Sequence, residues 1–224
     1  MTIDWQPLWL TVRLASATTL VLLLLGIPLA YHMAYSRSRF KPVMEALVSL
    51  PLVLPPSVLG FYLLLAFSPR NGPGAWLARW FDVHLAFSFG GLLLASVLFS
   101  LPFMVQPLQA GFAQLPRALL EASRTLGKPD RVTLVRVLLP NMKAALLTAT
   151  VLSFAHTVGE FGVVMMIGGN IPGVTRVASI AIYDQVESLD FAAAHVYSAV
   201  LLALSFATLL AVYVVNRRWS GDAG

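Results

Sequence analysis

His156 and Glu160 stand four residues apart in an otherwise apolar stretch, FAHTVGEFGVVMMIGG (154–169). On a helix that spacing puts both side chains on one face, where an imidazole and a carboxylate can pair. Catalysis or metal binding would need further groups converging from other segments, and one His with one Glu is too few. The chain has no cysteine, which removes disulfides, thiol catalysis and Cys-based metal sites. No G-x4-G-K-[ST] phosphate loop occurs either, since Gly127-Lys128 is followed by Pro129. His32, His84 and His195 are isolated and carry no assignment. We therefore expect no catalytic residue, no metal and no cofactor in this chain.

The second constellation is a basic interruption at 113–143, AQLPRALLEASRTLGKPDRVTLVRVLLPNMK. It carries Arg117, Arg124, Lys128, Arg131, Arg136 and Lys143 against Glu121 and Asp130. Pro116 suits the first turn of a helix, where its missing N–H has no partner to lose. Leu119, Ala122, Ser123 and Leu126 recur at helical spacing, and Gly127 is placed to end that helix. Pro129 opens a second helix with Asp130 in its first turn, where the helix dipole favours an acid. Val132, Val135 and Leu139 would form its apolar stripe, and Pro140 would break it. Two readings of the pair remain: an amphipathic element lying on anionic lipid, or a knob that docks into a protein. The acid at its centre and the small residues at its corner favour the knob.

These groups need elements to position them, and the composition says which kind. Of 224 residues 58% are hydrophobic and only 11% charged, about half the charge of an ordinary soluble domain. The net charge of +5 is confined to short stretches between apolar runs, which speaks for membrane loops and against nucleic acid. The expected fold is all-α and polytopic, one transmembrane domain over 1–224. Spans are expected at 14–33, 43–67, 86–107, 144–168 and 191–215, each near the ~20 residues that cross a bilayer. A sixth, shorter element at 174–189 reads as re-entrant or interfacial. The basic loops 36–41 and 113–143 and the Arg217-Arg218 end belong inside by the positive-inside rule, which puts the N-terminus outside (periplasmic) and the C-terminus in the cytoplasm.

Within the spans, Glu160 should face protein or water, because a lipid-facing carboxylate at that depth costs on the order of 2.5–3.5 kcal/mol. It is either a pathway residue or a helix–helix pin, with Gly159 and Gly162 admitting a close neighbour. Of the two, the pin is preferred. Pro55 and Pro56, with Pro51 and Gly60, mark a kink that either shapes a path or serves packing. The outer GGNIPG (168–173) reads as a turn.

The segment EASRTLGKPDRVTLVRVLLP (121–140) resembles the E-A-A-x3-G loop of ABC importer permeases. It matches at Glu121, Ala122, Gly127, Leu139 and Pro140, with Val137 at the usual aliphatic position and Ser123 for the second Ala. LPLVLPPSVLGFYLLL (50–65) and 154–189 resemble the molybdate permeases of bacteria, relatives of the sulfate and thiosulfate permeases. The resemblance implies a type I importer permease fold in a bacterial inner membrane. Glu121, Ala122, Ser123 and Gly127 would then couple the chain to a separate ATPase subunit, which binds the ATP and magnesium. It also implies a permease homodimer with two ATPase copies and a periplasmic molybdate-binding protein. The expected cargo is molybdate, with tungstate or sulfate/thiosulfate as alternatives. An ATP-independent secondary transporter would be expected to place ionisable residues along several spans, and here only one span carries a central acid.

Overall fold

The computed structural model describes residues 4–70 and 72–221. Among them every regular element is helical. Helix α1 (Gln6–Tyr35) is followed by α2 (Lys41–Val53), α3 (Pro56–Phe67), the short α4 (Gly72–Phe81) and α5 (Phe89–Gln114). The basic segment forms α6 (Arg117–Thr125) and α7 (Asp130–Asn141). Helices α8 (Lys143–Gly159), α9 (Gly162–Gly168), α10 (Ala178–Glu187) and α11 (Phe191–Gly221) complete the chain.

Helices α1, α5 and α11 are each long and apolar enough to cross a membrane, and by length and composition two bent pairs, Lys41–Val53 with Pro56–Phe81 and Asp130–Asn141 with Lys143–Gly159, would raise the number to five if each were one span. The second expected span is therefore not continuous. Its two parts, Lys41–Val53 and Pro56–Phe81, are bent 111° from one another. Leu54 is extended and the chain re-enters helix at Pro56, so the Pro55-Pro56 pair ends one helix and starts another. The fourth expected span, 144–168, is likewise divided at Glu160 and Phe161 into α8 and α9. The element expected at 174–189 is the 10-residue α10, about 15 Å long and too short to cross.

Helices α1, α5 and α8 pack on one another and form the core. Leu22, Met33, Met104, Leu108 and Phe112 are buried between them, joined by Leu138 and Met142 from the basic segment. Helix α1 runs parallel to α5. Arg13 lies over the Phe89 ring at 4.6 Å near both helix starts, and the Tyr35 hydroxyl donates to the Phe112 carbonyl at 3.1 Å near both ends. The start of α11 joins the first end, where the Tyr197 hydroxyl donates to the Asp4 carbonyl at 2.7 Å. Its far end joins the other, where Asn216 donates to Thr148 Oγ1 at 3.2 Å. Arg37, Arg39, Lys41 and the whole of α6 and α7 share that second end, opposite Asp184, Glu187 and Asp190. The relative sidedness read from the charges is therefore built into the packing.

The two broken spans meet. Helix α9 packs against α3 and α5. A Cβ at Gly60 would lie 2.7 Å from the Met166 Cβ and 3.4 Å from the Val163 Cα, so the two helices approach as only glycine permits. Overpacking of this kind costs about 1–3 kcal/mol. Gly60→Leu is expected to lower the thermal midpoint of the purified chain, read as monodisperse fraction after heating. An unchanged profile would contradict this packing.

Candidate functional site

The knob is a braced corner. Pro116 precedes α6, and Gly127 ends it with φ +68°. The Lys128 N–H donates to the Ser123 carbonyl at 3.1 Å and the Gly127 N–H to the Arg124 carbonyl at 2.9 Å, the paired bonds of a Schellman stop. The side chains then tie α6 to α7. Ser123 Oγ and Thr133 Oγ1 lie 2.7 Å apart and buried. Arg124 donates through both Nε and Nη2 to the Asp130 carboxylate, at 3.2 and 3.4 Å. That hydrogen bond, with the charge behind it, raises the pKa of the Arg124 guanidinium above its ordinary value. The pair is half-exposed and contributes geometry more than stability.

Two details correct the sequence reading. The buried face is Leu120, Ser123, Thr133 and Leu138, while Leu126 is 75% and Val135 60% exposed. Ser123 is therefore turned inward as the brace of the corner and presents nothing to a partner. Glu121, Ala122 and Gly127 are exposed. Glu121 also borders a polar cavity of ≈ 450 Å3 together with Tyr35, Arg37, Lys41, Arg117 and Arg124. Nor does Pro140 break the second helix. A widened π turn at Leu134–Leu138 absorbs it, Asn141 Nδ2 donates back to the Val137 carbonyl at 2.7 Å, and the turn of direction comes at Met142. There α7 and α8 meet at 87°.

The intramembrane pair separates. His156 does not bond Glu160; its Nδ1 lies 2.9 Å from Ser100 Oγ on α5, and its ring stacks on Phe103 at 3.9 Å. Ser100 Oγ also lies 3.1 Å from Thr157 Oγ1, so a small hydroxyl cluster joins α5 to α8. Glu160 is 7% exposed and sits at the helix break. Its Oε1 accepts the Val163 N–H at 2.7 Å, satisfying a first-turn donor of α9, and its carbonyl accepts the Ser179 hydroxyl of α10 at 2.6 Å. The cross-helix bond thus uses the backbone of Glu160, and the carboxylate is spent on a local cap.

Pro56 of α3 lies against the same break, since a Cβ at Gly162 would come within 2.6 Å of the Pro56 Cβ. The structure so brings Pro56 and the Glu160 break into one locus, with Pro55 the residue immediately before, whereas His156 belongs to the α5–α8 seam. Among the described residues no group of three or more His, Asp or Glu could hold a metal ion. The GGNIPG turn is closed by its own contacts: Thr175 Oγ1 bonds the Gly168 carbonyl and the Ile171 N–H, and Asn170 bridges Arg176 and Asp184. Ser100, Thr133 and Ser179 escaped the sequence reading, because single hydroxyls in apolar helices carry no spacing signal.

This arrangement, a membrane bundle with broken crossings and a two-helix knob at one end, is the fold of ABC importer permeases. The chain superposes on a bacterial ABC transporter that imports the acidic polysaccharide alginate with TM-score 0.76, 16% identity and coverage of 95% of this chain and 78% of that one. It superposes on the inward-facing MetNI methionine ABC transporter with TM-score 0.71, 15% identity and coverage of 95% and 94%. Residues 23–221 match the family described as "Binding-protein-dependent transport system inner membrane component", and the chain belongs to that family. It is 46% identical over 219 residues to the molybdenum transport system permease protein ModB of Azotobacter vinelandii, covering 97% of this chain and 96% of that one. It is 33% identical to ModB of Escherichia coli strain K12, over 83% of this chain and 81% of that one. Against the sulfate transport system permease protein CysT of the same strain it is 32% identical, over 87% and 70%. These relatives are membrane components of transport systems and not enzymes.

If Glu160 is a cap, its replacement is separable by chemistry. Glu160→Ala leaves the buried Val163 N–H unpaired and should lower stability by about 0.5–2 kcal/mol. Glu160→Gln keeps an acceptor oxygen and should retain most of it. Thermal midpoints in detergent measure both. Equal loss in the two variants would assign the effect to the charge.

Proposed function

We propose that this chain is the membrane-spanning permease of an ATP-driven importer for molybdate. The observation that carries the reading is the 46% identity to a molybdenum permease across nearly the whole of both chains. The sulfate permeases at 32–34% identity support the wider class of tetrahedral oxyanions, so tungstate and sulfate are the cargoes to compare. Two copies form the pathway, two ATPase subunits bind below, and a periplasmic binding protein delivers the anion from above. The N-terminus lies outside and the C-terminus in the cytoplasm, which accords with the cations gathered at the knob end. ATP and magnesium act on the partner subunit.

In this mechanism the knob enters a cleft of the ATPase through Glu121, Ala122 and Gly127, while Ser123 holds α6 to α7 from within. ATP draws the two ATPase subunits together and the knobs move with them. The α5 end and the α8 start are attached to the knob at either side, through residues 115–116 and Met142, so its displacement reaches the α1–α5–α8 core directly. The anion path opens outward, and hydrolysis resets it. The exposed apolar surfaces of α2, α3 and α11 are available to lipid and to the second copy; Val53, Tyr62 and Tyr213 are 83%, 64% and 74% exposed.

Co-purification tests the coupling. The tagged wild-type chain, expressed with its ATPase in mild detergent, should retain that subunit, while Glu121→Lys and Gly127→Pro should lose most of it. Ser123→Ala should weaken retention less than either, because its effect passes through the corner. Retention unchanged in Glu121→Lys and Gly127→Pro would refute docking at the knob.

A further inference from the structure

Helix α4 lies outside the mechanism above. It has 10 residues, GPGAWLARWF, which is too short to cross a bilayer. Trp76 and Trp80, one helical turn apart on one face, are 56% and 70% exposed, and Phe81 is 61% exposed. Arg79 is exposed beside them. From Ser68 to Phe81 the sequence contains Arg70 and Arg79 and no acid, and neither arginine forms an ion pair among the described residues. Gly74 packs on the backbone of Phe67 and Ser68 so closely that a Cβ there would stand 2.5 Å from both carbonyl oxygens. This close approach seats α4 against the end of α3.

A second observation comes from a different helix at the same end. Trp5 and Trp9, also one turn apart, are 60% and 70% exposed at the start of α1. The Arg13–Phe89 contact places that start level with the start of α5, just beyond α4. Four exposed indoles lie at one end of the bundle, and an amphipathic ring gains from both media at a membrane–water boundary.

We propose that α4 is an interfacial helix bound to the phospholipid surface. Trp76 and Trp80 sit at the boundary of acyl chains and headgroups, and Arg79, with Arg70, meets lipid phosphate. Its role is to fix the height of the bent α2–α3 pair in the bilayer, and through α3 that of α9 and the Glu160 break. A protein partner on this face would be expected to answer cations with acids and to leave Trp5 and Trp9 unexplained; the lipid surface accounts for both sets of residues. The inference holds for either orientation of the chain and for any cargo.

Brominated lipids test it directly. The permease–ATPase complex, with Trp5, Trp9 and Trp219 changed to Phe, is placed in nanodiscs of phosphatidylcholine brominated either high in the acyl chain or near its end. The partners' tryptophans are changed likewise or subtracted with a permease lacking Trp76 and Trp80. The fluorescence of Trp76 and Trp80 should be quenched roughly two-fold more by the shallow bromines than by the deep ones. Should the multiple variant not assemble, a nitroxide at Trp80→Cys in the otherwise cysteine-free chain, labelled before assembly, reports the same depth from its access to oxygen and to a water-soluble chelate. Emission indifferent to both lipids, a nitroxide fully open to the chelate, or shielding that appears only when binding protein is added would overturn the proposal. The last result would make α4 a protein-docking surface.

Discussion

Inside hydrocarbon a backbone N–H or carbonyl has no water to turn to, so every helix break must bring its own partners. The rest of this structure depends on how two such breaks are satisfied. At the first, Pro55 and Pro56 have no N–H to leave unpaired. At the second, the Glu160 carboxylate takes the Val163 N–H and the Ser179 hydroxyl takes the Glu160 carbonyl. The two breaks then cover each other, Gly162 against Pro56 and Gly60 against Met166. Broken helices are where a transporter can interrupt its own wall, and here the interruption is capped beside the continuous helices α1 and α5.

The knob solves a different problem, which is to hold a fixed shape at the end of the bundle. A loop of 31 residues would ordinarily bend under load. This one is stiffened three times over, by the Schellman bonds at Gly127, by the buried Ser123–Thr133 contact and by the Arg124–Asp130 fork. Leu138 is fully buried and keys α7 into the same core as Phe112 of α5 and Met142 before α8. The 87° turn between α7 and α8 lays the knob across the start of the helix that follows it.

Much of this was legible in the amino-acid sequence because it rests on local chemistry. Pro116, Gly127 and Pro129 punctuate helices whatever the fold, and the segregation of cations marks one end of a bundle. The all-α membrane class and the two-helix knob follow from those signals, and the pattern from Glu121 to Pro140 led to the importer family. What failed was non-local. The periodicity of α6 and α7 includes Leu126 and Val135, which are exposed, and omits Thr133, which is buried against Ser123 across the corner. His156 and Glu160 share helical spacing, but the helix ends between Gly159 and Phe161 and His156 finds Ser100 on α5 instead. Hydropathy averaged over a window passes across both breaks, because the apolar residues on either side outweigh a Pro pair at one and a single Glu at the other.

Uptake of labelled molybdate into proteoliposomes holding the permease, its ATPase and the anion-loaded binding protein tests the central claim most directly. The account predicts accumulation that requires ATP in the compartment of the ATPase, that stops when ATP is depleted, and that excess sulfate competes with more weakly than tungstate. Uptake that continues without ATP, or that follows sulfate in preference to molybdate, would contradict it.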